Sequence, residues 1–464
     1  MIKKNTKKGF TAPHTFVILV ALIFIAVVAT YFVPAGQFVR YEDEATKRTL
    51  VEAGSYALIA SKPISFFSIP GIIYRAIVKS SNIIAFILII GGSFEIITST
   101  GALTALCHKI SKVFVGKEML IIPLFLTLFS VFGTTMGMSS EVMIFVPIGI
   151  TLALSLGLDK VTGTVMIAMG AASGFTAGLL NPFNVGVAQD IAQLPMFSGL
   201  WYRALLLIVL LVADTIYIII YAKKVKSDPK KSIIYGEQED NKYQFNECDS
   251  NLGKSKIAVL IVMIIGFGVL IYGLSKLDWY YEEMSALFLT MGVIAGAVNG
   301  YGPNKIAAIF GKGAKDICVG ALIVGIARGV ELVLSDANIL DTIVNSLAIL
   351  VGSLPTLIQA IGMFIMQSLI SCVITSGTGQ AAITMPLMTP LADLLHISRQ
   401  TAVLAFQMGD GFSNSILPTS SSLMGFLVVS KIPYSKWLKF IMPLFFIWTV
   451  IGCIFMVGAI IIGY

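Results

Sequence analysis

Charge is scarce in this chain. Only 12% of its 464 residues are Asp, Glu, Lys or Arg, against roughly 25% in an average soluble domain. Half the usual charge cannot cover a globular surface of this size, which excludes a soluble enzyme. Disorder is excluded too, because it requires low hydrophobicity; here 56% of residues are apolar and the mean hydropathy is +0.89. Histidine is nearly missing. His14, His108 and His396 are the only three, and no HExxH occurs, which argues against a zinc site. The five cysteines (Cys107, Cys248, Cys318, Cys372 and Cys453) are scattered, so neither a metal pair nor a disulfide framework is indicated. No GxxxxGK[ST] loop is present, so nucleotide-driven pumping would need a separate subunit.

What the chain has is continuous apolar runs of helix length. His14 and Arg40 bracket an uncharged stretch from Thr15 to Val39, longer than the roughly 20 residues that cross a hydrocarbon core. Barrel strands would instead alternate apolar and polar residues in segments of about ten. The expectation is an all-α polytopic membrane protein. The net charge of +7 and pI of about 9.0 then reflect Lys and Arg collected in cytoplasmic loops, not a nucleic-acid partner. No signal-peptide cleavage pattern follows the first run, so it reads as a retained helix. Lys3, Lys4, Lys7 and Lys8 place the N-terminus inside, in a multi-pass protein of the cytoplasmic membrane.

Lys223 to Lys256 is the one long polar stretch, rich in lysine and too short for a domain. It reads as a cytoplasmic linker over residues 223–256, between a first membrane repeat at 1–222 and a second at 257–464. The two halves match. Glu141 to Pro147 spans six residues, as does Gln380 to Pro386; Pro147 to Gly170 spans 23, as does Pro386 to Gly409; Pro182 to Trp201 spans 19, as does Pro418 to Trp437. The one difference is the 12 residues from Gly170 to Pro182 against nine from Gly409 to Pro418. Lysines around the start of the last helix (Lys431, Lys436, Lys439), against Arg203 alone near Trp201, orient the halves oppositely. This predicts two inverted repeats, each with a re-entrant helical hairpin and a broken transmembrane helix.

Four interruptions carry that prediction. Gly133 to Ser140 and Thr375 to Gly379 read as hairpin tips; Gly174 to Asn184 and Gly411 to Ser422 read as unwound points in spanning helices. Non-helical backbone at membrane depth is tolerated only inside protein or around a watered cavity, and paired interruptions in two halves point to a transporter's binding site. A broken helix offers N–H groups to a carboxylate at one end and carbonyls to a cation such as sodium at the other. The alternative use of such Gly and Ser is close helix packing. Glu141 and Asp410 are ionisable groups in apolar surroundings, suited to a substrate amino group, a proton or sodium; as an alternative, Glu141 caps a helix start. Arg328 and Glu331, three apart, pair with each other, or Arg328 holds a substrate carboxylate. Glu95 and Asp214 read as packed or interfacial.

Several motifs carry a family resemblance. Pro13-His-Thr-Phe16, Val33-Pro-Ala-Gly36, Thr100-Gly-Ala-Leu103, Asn181-Pro-Phe183, Ala327-Arg-Gly329, Ser376-Gly-Thr-Gly-Gln-Ala-Ala382, Ser398-Arg-Gln-Thr-Ala-Val403, Gly409-Asp-Gly411 and Pro433-Tyr-Ser-Lys-Trp437 resemble the YfcC-type branch of the DcuC (C4-dicarboxylate anaerobic carrier) family, in the ion transporter superfamily. The resemblance covers nearly the whole chain. It implies inverted repeats, two re-entrant hairpins, a scaffold with a moving transport part, and often a homodimer. Relatives are described as carriers of four-carbon dicarboxylates or as arginine/ornithine exchangers. The exchangers tend to have two adjacent acids at the first hairpin tip, where this chain has Ser140-Glu141.

The expected function is a secondary active transporter for a small carboxylate-bearing metabolite, an amino acid or a C4-dicarboxylate, working by exchange or by coupling to sodium or protons. It needs no cofactor or resident metal. Ser139, Ser140, Ser376, Gly377 and Thr378 would bind the carboxylate, with Asn181, Asn414 and Ser420 completing the pocket. Glu141 and Asp410 would take an amino group or coupling cation. The alternatives are a membrane-embedded enzyme, which lacks a recognisable nucleophile with its base here, and a passive anion channel.

Overall fold

The structure is a computed structural model and describes residues 15–42, 49–52, 54–114, 116–236, 253–277 and 279–464. The N-terminal lysines, His14 and most of the polar linker lie outside the described residues. Eight helices among those described are long and apolar enough to cross a membrane. Their exposed flanks are apolar rather than polar: Ile208, Val212, Ile216 and Ile220 on one, Ile261, Ile264 and Ile265 on another, Phe446, Val450 and Ile454 on a third. A soluble fold hides such stripes, whereas a bilayer solvates them.

The first half begins with α1 (Thr15–Ala29). Two short antiparallel ribbons follow, β1 (Gly36–Gln37) with β4 (Ala57–Leu58) and β2 (Arg40–Glu42) with β3 (Thr49–Val51). They are the only strands among the described residues, and the sequence reading did not foresee strands this short. Next come α2 (Ile69–Lys79), α3 (Ser81–Ser99), α4 (Ala102–Val113), α5 (Ile121–Met136), α6 (Val146–Ser155), α7 (Lys160–Ala177), α8 (Val187–Ile191) and α9 (Leu200–Ser227). The second half contains α10 (Lys254–Lys276), α11 (Tyr281–Val298), α12 (Pro303–Ala327), α13 (Gly329–Asp336), α14 (Leu340–Gly352), α15 (Thr356–Ser371), α16 (Gly377–Leu394), α17 (Arg399–Ser413), α18 (Ser421–Ser430) and α19 (Tyr434–Ile462). The expected linker is therefore shortened, because Lys223 to Ser227 complete α9 and Lys254 opens α10.

At the centre lie α7 and α17, buried along nearly their whole length. Their starts are capped as the matched turns require: Asp159 Oδ1 accepts from Thr162 N at 2.9 Å, and Ser398 Oγ accepts from Thr401 N at 3.0 Å. Small residues let α5 and α7 approach backbone to backbone, with Gly133 facing Ala171, Gly170 facing Leu126 and Gly174 facing Ser130. In a separate group, α3 packs on α11 and α12, where Gly91 and Gly313 face each other and Glu95 pairs with Lys312 at 3.3 Å. Glu95 thus has a packing role, as its sequence context suggested.

The ribbons fasten the two halves together. Asp341, buried on α14, accepts from Phe38 N at 3.0 Å and from Arg40 at 2.9 Å, and Gly36 N donates to the Asn338 carbonyl at 2.9 Å. Asp341→Ala strips the partner from a buried N–H and from a guanidinium, and is expected to cost about 2 kcal/mol. A thermal melt of the detergent-purified variant would reveal this as a lowered midpoint.

Candidate functional site

The four interruptions seen in the sequence meet in space. Helix α5 stops at Gly137, which takes a left-handed φ of +64°, a conformation glycine adopts without steric penalty. The chain then passes through a tight turn, Ser140–Phe145, into α6. Helix α7 stops at Gly178, and the turn after it is held by Asn181, whose Oδ1 accepts from Phe183 N at 2.9 Å and Asn184 N at 3.2 Å. Helix α16 starts at Gly377 behind its cap Ser376. Between α17 and α18, Ser420 caps the new helix by accepting from Leu423 N at 3.4 Å.

Each tip is tied to the break of the opposite half. Ser422, in the first turn of α18, is 3.0 Å from the Ser139 hydroxyl and 2.7 Å from that of Ser140. Reciprocally, the Thr378 hydroxyl donates to the Phe183 carbonyl at 2.8 Å, and Gly377 lies against Asn184 and Asp410. Asp410 is fully buried and joins the two breaks. Its Oδ2 accepts from Asn184 Nδ2 and its Oδ1 from Asn414 Nδ2, each at 2.9 Å. The packing of α8 on α16, and of α18 on α6 with its preceding turn, repeats the same exchange between halves.

These tips and breaks line a cavity of about 390 Å³. Of the residues singled out in the sequence, Ser139, Ser140, Glu141, Ser376, Gly377, Asp410 and Asn414 line it. Asn181, Thr378 and Ser420 do not line it: two are caps and the third is a tie between halves. Glu141 lines the cavity and also caps, since its Oε2 accepts from Ser139 N at 2.9 Å. Of the two sequence readings of this residue, the hydrogen bond supports the capping one.

The rest of the lining was recognised in the sequence only at Arg328, which one of its two readings gave to a substrate carboxylate. It comes from two kinked helices and the start of α11. Lys79 and Ser80 mark the kink between α2 and α3, Arg328 the kink between α12 and α13, and Tyr280 and Tyr281 open α11. The available signal was a lone cation interrupting an apolar run, at Lys79 and at Arg328. Arg328 Nε is 3.8 Å from Glu331 Oε2, and Lys79 Nζ is 4.0 Å from Glu331 Oε1. Both separations exceed hydrogen-bond range, and Arg328 Nε has no hydrogen-bond partner. Arg328 is therefore an ion-pair member and a cavity residue at once. The cavity is lined by two carboxylates, Glu141 and Asp410, and two cations, Lys79 and Arg328.

The chain resembles known proteins along its whole length. The family model described as DcuC, C4-dicarboxylate anaerobic carrier, matches residues 12–461. An Escherichia coli (strain K12) protein named "Putative basic amino acid antiporter YfcC" is 32% identical over 99% of this chain and 98% of its own. An uncharacterized protein of Haemophilus influenzae is 27% identical over 100% of this chain and 98% of its own. Among solved structures, the Alcanivorax borkumensis YdaH transporter aligns at a TM-score of 0.42 and 14% identity, covering 97% of this chain and 99% of that one. Neisseria gonorrhoeae MtrF, from a class of antimetabolite efflux pumps, aligns at 0.41 and 16%, covering 97% and 95%. Likenesses that remote carry no argument. The full-length family match and the 32% identical relative do: the chain belongs to the DcuC family and is a multi-pass membrane transporter, not an enzyme.

Proposed function

We propose that the chain is a secondary antiporter for basic amino acids, built from two inverted repeats at 1–222 and 257–464 that alternate access to one cavity. The observation that carries this reading is the mixed charge of that cavity, which is lined by Glu141 and Asp410 together with Lys79 and Arg328. A zwitterion with a cationic side chain matches both signs; a dicarboxylate matches only the basic groups. The substrate carboxylate would meet the backbone N–H groups opening α16 at Gly377, together with Arg328, in the manner of anion binding at a helix start. The amino group would meet Glu141. Asp410, held by Asn184 and Asn414 from both halves, would respond to a coupling cation, sodium or a proton. The name borne by the 32% identical relative supports the same substrate class. A C4-dicarboxylate is the second reading, favoured by the family description and by the paired cations.

Proteoliposomes preloaded with ornithine test this directly. Labelled arginine should enter faster than into empty vesicles, while succinate and malate preloads give no acceleration. The reverse pattern would replace this reading with the dicarboxylate one. Arg328→Ala should weaken arginine uptake by roughly 10- to 100-fold, the worth of a charge-assisted hydrogen bond. Its uptake of the decarboxylated analogue agmatine should be unaffected, and an equal loss for both compounds would remove Arg328 from carboxylate binding.

A further inference from the structure

Another buried carboxylate, Asp214, stands apart from the cavity. Asp214 lies near the midpoint of α9, 14 residues after Leu200 and 13 before Ser227, about 20 Å of helix from either end. It is 0% exposed and occupies the inward stripe of Leu206, Leu210 and Ile218. Its Oδ1 accepts from Trp448 Nε1 at 2.8 Å and its Oδ2 from the Ser173 hydroxyl at 2.5 Å. Both donors are neutral, and no basic side chain pairs with it among the described residues.

The charged and titratable groups on the elements packed around it lie elsewhere. On α9 itself, Arg203 is eleven residues away, Tyr217 is engaged with the Phe440 carbonyl and Tyr221 with Asp159. On α7 the only charged residue is Lys160, at the far end; on α19 they are Lys436 and Lys439 in the opening turns, with Cys453 five residues past Trp448. Helix α5 carries none, and Glu118 before it pairs with Lys226 at 2.7 Å. An uncompensated charge at this depth costs several kcal/mol, and an arriving proton removes that cost.

The two donors reach both broken helices. Ser173 sits on α7 five residues before its end at Gly178. Trp448 stacks on Phe412 of α17 with ring centroids 5.4 Å apart, two residues beyond Asp410. Protonation reverses one of these bonds. The new carboxylic O–H donates to Ser173 Oγ, whose own hydrogen turns to a carbonyl of the preceding turn of α7.

We propose that Asp214 is a proton-binding site at mid-membrane, separate from the substrate cavity, whose occupancy is felt at the α7 break through Ser173 and at the α17 break through Trp448 and Phe412. A purely structural clasp would tolerate Asp214→Asn, because asparagine offers an acceptor to Trp448 and a polar partner to Ser173. Infrared difference spectra of the full-length protein in lipid, taken between mildly acidic and mildly alkaline pH, separate the two cases without requiring a known substrate. The wild type should show a carboxylic C=O band that appears and vanishes with pH and is missing in Asp214→Asn. Identical difference spectra for the two proteins would overturn the assignment. If Asp214→Asn does not fold, Ser173→Ala and Trp448→Phe each remove one donor while keeping the acid. Each should move the frequency of that band and shift its midpoint by about one pH unit; wild-type bands in both variants would equally overturn it.

Discussion

Glu141→Gln should lower exchange of a cationic amino acid by about a hundredfold and leave the folded protein intact. Glutamine keeps an oxygen able to accept from Ser139 N, so the turn that leads into α6 retains its cap. What disappears is a negative charge in the lining of the cavity that Lys79 and Arg328 also line. A hydrogen bond to a charged group contributes about 1.5–3 kcal/mol, and the upper part of that range, about 2.7 kcal/mol, corresponds to the stated factor. Counterflow in proteoliposomes measures the rate, and size-exclusion elution reports folding. Any dicarboxylate uptake should survive this substitution or improve. Unaltered arginine kinetics would show that the carboxylate serves only as a cap.

The largest structural effect is expected at Gly174. A Cβ built there would stand 2.1 Å from the Ser130 carbonyl oxygen and 2.8 Å from its carbonyl carbon and Cα. Every one of those atoms is backbone, so no rotamer change relieves the collision and α5 must move away from α7. Gly174→Val should cost about 3 kcal/mol, the upper end of ordinary overpacking, seen as a large fall in detergent melting temperature and in monodisperse yield. Gly311→Val on α12 is the control, since nothing lies within 4 Å of its Cβ position. Equal stability for the two variants would show that α5 and α7 are not closely apposed.

The central part of this site was legible because it is written in glycine, serine and proline within apolar runs. Those residues interrupt helices for stereochemical reasons, so Gly137, Gly178, Gly377 and the stretch ending at Ser422 all fell where backbone breaks are observed. Of the rest of the lining only Arg328 was legible, from its charge, because the kinks at Ser80 and Arg328 carry no proline and their neighbours read as uninterrupted helix. Asn181 and Ser420 show a different limit. Amide and hydroxyl side chains beside a break suit a ligand and a helix cap equally, and only coordinates reveal that both cap. Asn184, at the margin of its stretch, went unremarked although it supplies the hydrogen bond from the first break to Asp410.

The reciprocal seating of each half on the other has an evolutionary corollary. Neither half finishes a pocket alone, since the first tip closes on Ser422 and the second on Phe183 and Asn184. On the proposed inverted-repeat reading, a half-length ancestor would have had to insert in the bilayer both ways up and find its own inverted twin before it could carry anything. Fusion of the two genes would then have fixed their stoichiometry and freed each copy to specialise, leaving an acid at 141 where the other copy has Gln380.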